Sequence, residues 1–234
     1  RSSNIALTNT PRGTDDPYTM WALSDKPENR GHLLWIQNYP APEGNITRML
    51  AAQPIDTVNR VFTMTDYETG QRLGYSLDNG TLLWGPSGIT YQEPGARAYN
   101  YYSGREGFPA YGNLYLGGFG GEVYCYSLKN GTLLWKYNNT YSGLEGPWGN
   151  HPTAIFAIAD GKVFAFTNEH SPNSPMYQEQ RIWVIDAFTG KEVWTLMSVA
   201  GTTGGARQPT SIVADGFVVY YNFYDNKVYS IVKG

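Results

Sequence analysis

The chain has 234 residues and a formal net charge of −3, and only 16% of its residues are charged. It has no cluster of basic residues, which argues against nucleic-acid binding, and no apolar stretch near the roughly 20 residues of a membrane span. Aromatic residues make up 15% of the chain, alongside 27 glycines and 14 prolines. This composition is typical of short strands joined by tight turns, and it predicts an all-β fold.

A ten-residue phrase occurs twice in the chain with one internal substitution. Residues 75–84 read YSLDNGTLLW and residues 126–135 read YSLKNGTLLW, while looser copies occupy residues 184–194 and 31–35. All four copies close on a tryptophan, at intervals of 49, 51 and 59 residues: Trp35, Trp84, Trp135 and Trp194. A period near fifty residues with strand-forming chemistry inside it predicts the blades of a β-propeller.

The predicted strands follow the same order within each repeat. In chain order they cover residues 61–64, 73–77, 98–102, 114–116, 123–128, 132–137, 153–158, 162–166, 181–186, 192–194, 211–213, 217–221 and 228–231. Four antiparallel strands make one blade. Asn130 and Gly131 predict a two-residue type I′ hairpin, because that turn needs positive φ at both positions. The chain is predicted to be a single propeller domain or propeller segment over residues 1–234, with blades that end near the four tryptophans.

The last repeat, residues 205–234, is predicted to be an incomplete blade, because its fourth strand and closing tryptophan are missing from the pattern. This leaves two interpretations of the four or five blades in the chain. Residues 1–20 could donate the missing outer strand and close a small ring. Alternatively, the chain is a segment of a larger propeller, which we favour because the last repeat stops in mid-pattern.

The closing tryptophans are expected to pack between neighbouring blades, because an indole covers a large area and offers one N–H for a cross-blade hydrogen bond. Replacing Trp135 by Ala is expected to cost about 3–5 kcal/mol through the cavity that it leaves. A ligand-stacking platform is the alternative interpretation, but a fixed position after a hairpin favours packing. The hairpin glycines complete the predicted structural motif: Gly80, Gly131 and Gly190.

These residues resemble the pyrroloquinoline-quinone-like (PQQ-like) β-propeller repeat. In that family a strand of the form V-Y-A-L-D precedes x-T-G-x-x-x-W, and residues 123–135, 183–194 and 75–84 match it. The resemblance extends over residues 20–232. It implies a ring of roughly six to eight blades, in a superfamily that holds quinoprotein dehydrogenases and many non-catalytic scaffolds.

The chemistry of quinoprotein dehydrogenases finds little support in the sequence. The resemblance implies a vicinal cysteine pair on the quinone and a Glu, Asn and Asp set around calcium. Cys125 is the only cysteine, so the pair is impossible, and we expect this thiol to be a small buried hydrophobe. His151, His170 and His32, which we expect in an exposed strand, lack metal-ligand spacing.

No catalytic, cofactor-binding or metal-binding residue is therefore predicted, and the chain is expected to lack enzymatic activity. Soluble sugar-oxidising relatives also lack the cysteine pair. A portion of a quinone- and calcium-dependent oxidoreductase therefore remains an alternative.

The third repeat exceeds the second by eight residues, and the excess falls in residues 167–177. Two prolines stiffen this segment, and Glu169, His170 and Tyr177 supply polar and aromatic groups. Insertions on a rigid scaffold often carry binding residues, so these three are candidate binding residues. An inert surface loop is the alternative.

Four Asn-x-Ser/Thr tripeptides are candidate N-glycosylation sites: Asn45, Asn79, Asn130 and Asn138. The turn-forming tendency of asparagine explains two of them equally well, because they lie in the repeated hairpin. A weakly charged, Tyr-rich composition with several acceptors indicates an extracytoplasmic protein, either secreted or at the cell surface. Because the chain starts at Arg1, we expect a processing boundary with a lost leader or upstream region. Links to further domains in the full-length protein are a separate expectation.

The predicted function is a non-catalytic extracytoplasmic propeller without a cofactor. Its rim loops would bind a protein or a glycan, and nucleic acid is excluded as a partner. A third hypothesis is a scaffold that resembles the propeller lipoprotein of the outer-membrane assembly machine.

Overall fold

The computed structural model describes residues 4–8, 12–87, 107–117, 121–139, 153–167, 181–197, 211–222 and 226–232. These residues form nineteen strands, and a 3₁₀ turn at Pro27–Asn29 is the one helical element among them. In chain order the strands are β1 (Ile5–Thr8), β2 (Arg12–Thr14), β3 (Tyr18–Ser24), β4 (Leu33–Tyr39), β5 (Arg48–Asp56), β6 (Val61–Asp66), β7 (Arg72–Ser76), β8 (Leu82–Ser87), β9 (Phe108–Ala110), β10 (Asn113–Gly117), β11 (Glu122–Ser127), β12 (Leu133–Asn138), β13 (Thr153–Ala159), β14 (Lys162–Thr167), β15 (Arg181–Asp186), β16 (Glu192–Met197), β17 (Ser211–Ala214), β18 (Phe217–Asn222) and β19 (Lys227–Val232). Within these ranges no helix has the length and hydropathy that a membrane crossing requires. The prediction of an all-β fold is confirmed.

The strands form five sheets, which we number in chain order. By hydrogen-bonded neighbours they are β1-β3-β4, β2-β5-β6-β7-β8, β9-β10-β11-β12, β13-β14-β15-β16 and β17-β18-β19. Apart from the added strand β2, each sheet follows the chain from one edge to the other, as a propeller blade does. The closing tryptophans lie in the outer strands of the first four sheets, which are β4, β8, β12 and β16.

The chain divides into two compact units. The first contains residues 1–93, 105–115 and 126–134, and the second contains residues 94–104, 116–125 and 135–234. The first and second sheets belong to the first unit, and the fourth and fifth sheets belong to the second. The single domain predicted over residues 1–234 stays a prediction.

The core of the first unit lies between the first and second sheets. Phe62 and Tyr75 stack with their ring centroids 5.3 Å apart, and Trp35 stacks on Phe62 at 6.2 Å. The buried members of this core come from β3, β4, β6 and β7 and the turn after β7: Met20, Ala22, Trp35, Phe62, Met64, Leu73, Tyr75 and Leu77. All six residues of β6 are buried, so this strand is covered on both faces.

The core of the second unit lies between the fourth and fifth sheets. Phe156 packs against Phe164 and Phe166, with ring centroids 6.0 and 5.6 Å apart. The buried members are Ala154, Phe156, Phe164, Phe166, Ile182, Val184, Val218 and Tyr220. Neighbouring sheets therefore pack face to face within each unit, as the repeat predicted.

The hairpins before the closing tryptophans differ from the prediction. Gly131 has a φ of +73°, but Asn130 does not have a positive φ, so the predicted type I′ turn is wrong. The N–H of Gly131 donates to the carbonyl oxygen of Ser127 at 2.8 Å, and the N–H of Ser127 donates to that of Thr132 at 2.8 Å. Four residues therefore separate Ser127 from Thr132, and only the last of them needs left-handed backbone.

Type I′ geometry occurs instead in the hairpins between the first two strands of a sheet. Positive φ at both central positions is found in three such turns: Tyr111-Gly112, Asp160-Gly161 and Asp215-Gly216. Asn79 and Asn130 do form turns, because their Oδ1 atoms accept the N–H groups two residues further on, at 3.0 and 3.2 Å.

The two N-terminal strands pair within the first two sheets. Residues 5–8 of β1 pair antiparallel with residues 21–24 of β3, and β2 pairs with β5. Neither β1 nor β2 therefore pairs with the last repeat. The interpretation that residues 1–20 supply the outer strand of that repeat is wrong for these two strands. The fifth sheet has three described strands, with β19 at one edge.

Candidate functional site

In the first unit, two closing tryptophans reach the next sheet along the chain. Nε1 of Trp35 donates to the carbonyl oxygen of Leu77 at 3.0 Å, and Nε1 of Trp84 donates to that of Leu128 at 2.9 Å. Both acceptors lie three residues before the turn glycine of their hairpin. We call this contact between a closing indole and the next hairpin the indole seam.

The second unit contains the same seam. Nε1 of Trp135 donates to the carbonyl oxygen of Ala187 at 3.1 Å, and Ala187 again lies three residues before the turn glycine, Gly190. Trp194 is half-buried and packs against the core formed by the fourth and fifth sheets, which includes Val218. The closing indoles therefore pack against the neighbouring sheet. This is the role that the sequence favoured over a ligand-stacking platform.

The turn glycines leave no room for a side chain at the seam. A Cβ on Gly80, Gly131 or Gly190 would lie 2.8, 2.5 or 2.7 Å from a ring atom of the preceding closing tryptophan. Their φ values of +75°, +73° and +70° also lie in the left-handed region. Each hairpin therefore needs glycine both for its backbone and for the indole that covers it.

A β-bulge directs the closing tryptophan toward the next sheet. In the fourth sheet Trp194 pairs with Val184 and Glu192 pairs with Ile185, so Val193 is an extra residue. The register shifts at the same place in the first and second sheets. A bulge bends its strand and re-aims the side chains that follow it. This extra position explains why one additional residue stands before the tryptophan: Leu34, Leu83 and Val193.

Polar side chains extend the seam along the outer strands. In the first unit, Nε2 of Gln37 donates to the carbonyl oxygen of Asn79 at 3.0 Å, and the hydroxyl of Tyr39 donates to that of Gly80 at 2.7 Å. In the second unit, the hydroxyl of Tyr137 donates to Oε2 of Glu192 at 2.5 Å. Burial raises the pKa of Tyr137, and the hydrogen bond to Glu192 adds to the effect.

An arginine and three tyrosines form a polar cluster in the first unit. Arg48 binds Asp66 through two hydrogen bonds of 2.7 and 3.1 Å, and its Nη1 lies 3.5 Å from the hydroxyl of Tyr75. Tyr18 and Tyr39 stack at 4.9 Å beside this pair, and burial raises the pKa of all three tyrosines. Burial is the largest single influence on the pKa of Arg48 and would lower it, but the hydrogen bonds to Asp66 together with the electrostatic effects of Asp66, Tyr75 and Tyr18 outweigh it and raise the pKa. This cluster therefore holds the charge-assisted pair of Arg48 and Asp66 in a mostly buried environment.

The outer strands of the first unit expose apolar side chains at one repeated position. Six leucines that directly precede closing tryptophans are each between 44% and 55% exposed: Leu33, Leu34, Leu82, Leu83, Leu133 and Leu134. We call these six residues the leucine surface. Exposed apolar side chains mark an interaction surface where they form a contiguous patch. The pair of leucines before each of these tryptophans was the available sequence signal for this surface, because the indole seam uses only the tryptophan.

One family model matches most of the chain. The family described as outer membrane protein assembly factor BamB, a family of PQQ-like repeats, matches residues 28–233. The chain belongs to this family. The resemblance to PQQ-like β-propeller repeats is thereby confirmed.

A solved structure shows the same propeller fold as this member of the BamB family. A europium-containing methanol dehydrogenase is 11% identical over 98% of this chain and 54% of its own, with a TM-score of 0.52. BamB from Moraxella catarrhalis is 9% identical over 94% of this chain and 72% of its own, with a TM-score of 0.41. No curated protein matches the chain. The predicted β-propeller built of antiparallel blades is confirmed.

The predicted binding loop of this BamB family member cannot be placed. Glu169, His170 and Tyr177 lie outside the described residues, and so does His151. His32 is exposed, as expected, but it precedes β4 and does not lie in a strand. The loop residues therefore stay a prediction.

The candidate glycosylation sites are all accessible. Exposed side chains are found at Asn45, Asn79, Asn130 and Asn138. Two of the four also hold their hairpin through Oδ1, which leaves Nδ2 as the atom that a glycan would modify. Glycosylation stays a prediction.

The structure describes part of the chain, and clusters of acidic, histidine or cysteine side chains that could hold a metal ion do not occur in that part. No group of three or more His, Cys, Asp or Glu side chains among those residues could hold a metal ion. Cys125 is buried, as expected, and it is the only cysteine of the sequence. A quinone- and calcium-dependent oxidoreductase stays an untested alternative.

Proposed function

We propose that the chain is a non-catalytic β-propeller scaffold that acts outside the cytoplasm and binds a protein partner. The leucine surface is the observation that carries this proposal. Half-exposed leucines recur at the same place in three successive sheets, and a protein partner that contacts them would bury their apolar side chains. The membership in a family described as an assembly factor supports a binding role.

Photo-crosslinking tests this proposal. A photoreactive amino acid is placed at Leu83 or Leu134 in the leucine surface, and at exposed Glu28 in the 3₁₀ turn as a control. We expect the two leucine positions to crosslink one and the same protein in the cells that produce the chain, and Glu28 to leave it unlabelled. Equal labelling from all three positions, or none from the leucines, would contradict the proposal.

The predicted rim loop is a second binding region within the same function. Simultaneous alanine replacement of Glu169, His170 and Tyr177 is expected to weaken capture of a protein or glycan partner. Unchanged capture by this variant removes the loop from the binding surface. A glycan array with the unmodified chain separates a glycan partner from a protein partner.

Outer-membrane protein assembly is the second candidate function, because the matching family carries that description. If the chain serves this process, its loss should lower the abundance of several outer-membrane proteins together. Protease accessibility of the chain in intact cells and in spheroplasts tests the extracytoplasmic location. Unchanged outer-membrane protein levels would remove this candidate.

The oxidoreductase alternative has a direct test of its own. Pyrroloquinoline quinone is added together with Ca²⁺, and the absorption spectrum and the reduction of a redox dye are followed with alcohols and sugars as substrates. A scaffold leaves both readouts at the level of the quinone alone. Substrate-dependent dye reduction would replace the scaffold proposal by an enzymatic function.

A further inference from the structure

Two Asn-Gly pairs lie in equivalent hairpins of the first unit, and the sequence contains no others. They are Asn79-Gly80, between β7 and β8, and Asn130-Gly131, between β11 and β12. Both asparagine side chains are exposed, and both glycines are buried. Asparagine deamidates most readily before glycine, because glycine has no Cβ to hinder attack of its backbone nitrogen on the carboxamide. Each hairpin is therefore a candidate modification site.

Deamidation of an Asn-Gly pair needs water and no other reagent. The backbone nitrogen of the glycine loses its proton and bonds to Cγ of the asparagine, and ammonia leaves from Cγ to give a succinimide. Water then opens the succinimide at one of its two carbonyl groups and leaves aspartate or isoaspartate. The peptide bond between the two residues has to turn for this attack, so the rate depends on how firmly that peptide bond is held.

Inside the two hairpins the asparagines have matching contacts. The N–H of Gly80 donates to the carbonyl oxygen of Ser76 at 2.9 Å. The N–H of Gly131 donates to that of Ser127 at 2.8 Å. In both hairpins Oδ1 of the asparagine accepts the N–H and the hydroxyl of the threonine two residues further on, at distances between 2.8 and 3.2 Å. The hairpins therefore differ mainly in the outer strand that covers them.

The outer strand β4 holds the first Asn-Gly peptide bond at its carbonyl group. Nε2 of Gln37 donates to the carbonyl oxygen of Asn79 at 3.0 Å. The other end of this peptide bond is the N–H of Gly80, which Ser76 already binds. The hydroxyl of Tyr39 binds the next carbonyl oxygen, that of Gly80, at 2.7 Å. The peptide bond that has to turn is thus held at its acceptor and at its donor.

The outer strand β8 covers the second hairpin with different contacts. Pro86 stands two residues after the closing tryptophan, as Gln37 does in β4, and its side chain has no hydrogen-bond donor. By strand pairing the equivalent of Gln37 is Ser87, whose hydroxyl donates to the carbonyl oxygen of Gly131. Neither of these two residues therefore supplies a donor to the carbonyl oxygen of Asn130.

We propose that Asn130 is a deamidation site of the native chain and that Gln37 protects Asn79 from the same reaction. One more hydrogen bond on the reacting peptide bond slows its rotation about threefold to tenfold. This modification involves neither the leucine surface nor a binding partner, so it goes beyond the proposed function.

Deamidation of Asn130 acts on the indole seam. Isoaspartate adds a methylene group to the backbone of the turn that Trp84 covers. A Cβ on Gly131 would already lie 2.5 Å from Cε3 of Trp84, so a longer turn does not fit under the indole. The Nε1–H group of Trp84 should therefore exchange with solvent faster in the deamidated chain than in the fresh chain.

Peptide mass spectrometry of the ageing chain tests the proposal. The full 234-residue chain is kept folded in a mildly alkaline buffer, and conversion of each asparagine is followed in digests taken over time. Enzymatic methylation detects isoaspartate. The same experiment in urea gives intrinsic rates, which correct for the different preceding residues, Asp78 and Lys129. Relative to these rates, we expect Asn130 to deamidate about threefold to tenfold faster than Asn79 in the native chain.

Two variants locate the protection. Gln37→Met removes the donor but keeps an unbranched side chain, so Asn79 should deamidate about threefold to tenfold faster while Asn130 keeps its rate. Ser87→Ala is the reciprocal variant, because it removes the hydroxyl over Gly131 and should accelerate Asn130 alone. Each asparagine serves as the internal control for the other, and tryptophan fluorescence checks that both variants are folded.

Three results would overturn the proposal. The first is a corrected rate at Asn130 that is equal to or below that at Asn79 in the native chain. The second is an unchanged rate at Asn79 in Gln37→Met, and the third is equal acceleration of both asparagines in that variant while it stays folded. None of these results depends on crosslinking from the leucine surface, so the two proposals can fail independently.

Discussion

Replacing Gly131 by alanine tests the indole seam through the added methyl group. The Cβ would lie 2.5 Å from Cε3 and 2.9 Å from Cδ2 of Trp84. That ring has little freedom to move away, because Nε1 of Trp84 donates to the carbonyl oxygen of Leu128. The substitution therefore adds a steric clash to the cost of alanine in left-handed backbone.

Gly31 provides a control that separates these two costs. Its φ is +84°, and its N–H donates to Ser24 as that of Gly131 does to Ser127, but a Cβ there would have no neighbour within 4 Å. We expect Gly31→Ala to lower the free energy of unfolding by about 1–2 kcal/mol, the cost of left-handed backbone. Gly131→Ala should lose a further ~1–3 kcal/mol from overpacking.

Urea unfolding followed by tryptophan fluorescence measures both variants. A double-mutant cycle adds Trp84→Ala to Gly131→Ala, and in that background the glycine substitution should cost only its backbone part, because the clashing ring is gone. Equal losses for Gly31→Ala and Gly131→Ala, or no coupling between Gly131 and Trp84, would refute the account of the seam.

Three further predictions follow from buried groups. Trp135→Phe keeps an aromatic ring but leaves the carbonyl oxygen of Ala187 without its donor. Urea unfolding should therefore show a free energy of unfolding lower by about 1–3 kcal/mol, a smaller loss than the ~3–5 kcal/mol expected for Trp135→Ala. No measurable loss for Trp135→Phe would show that the hydrogen bond contributes nothing. Arg48→Met leaves Asp66 as an unpaired, mostly buried carboxylate, with an expected loss of about 3–5 kcal/mol that the additional change Asp66→Leu should partly restore. A double variant no more stable than Arg48→Met would count against this pair. The thiol of Cys125 is fully buried, so a thiol reagent should react with it only in denaturant, and rapid reaction in the native chain would contradict its placement.

Most of the fold could be predicted from the repeat, because it combines the two-residue alternation of a strand with the regular spacing of the closing tryptophans. Alternation within each predicted strand indicated β-structure, and the recurring tryptophans indicated a unit that packs on its neighbour. The strand at residues 162–166 was placed within one residue of β14, and that at residues 181–186 matches β15. Such agreement is expected where local propensity and repeat period favour the same structure.

The hairpin before each tryptophan was mispredicted because the Asn-Gly pair was interpreted alone. The determining residue lies earlier: the hydroxyl of Ser127 accepts the N–H of Lys129, and the carboxylate of Asp186 accepts that of Phe188. These side chains fix a right-handed turn that ends on a single left-handed glycine. Serine or aspartate four residues before the glycine was the available signal.

The candidate site was less predictable than the fold, since exposure is a property of packed sheets and not of one strand. The Leu-Leu-Trp sequence shows three apolar residues, but only the bulge turns the indole inward and leaves the leucines outside. Similarly, Val228 and Val123 occupy equivalent positions in their sheets, yet Val123 is fully buried and Val228 is 68% exposed. The exposure of the leucines and of Val228 therefore depends on how the sheets pack, which the sequence of a single strand does not show.

The most direct test of the central claim measures hydrogen exchange of the indole N–H groups by NMR. The account holds that each closing tryptophan joins its sheet to the next hairpin through Nε1. The resonances of Trp35, Trp84 and Trp135 are assigned with single Trp→Phe variants. We expect all three to exchange far more slowly than a free indole until the chain unfolds. Exchange at the rate of a free indole in the native protein would contradict the account.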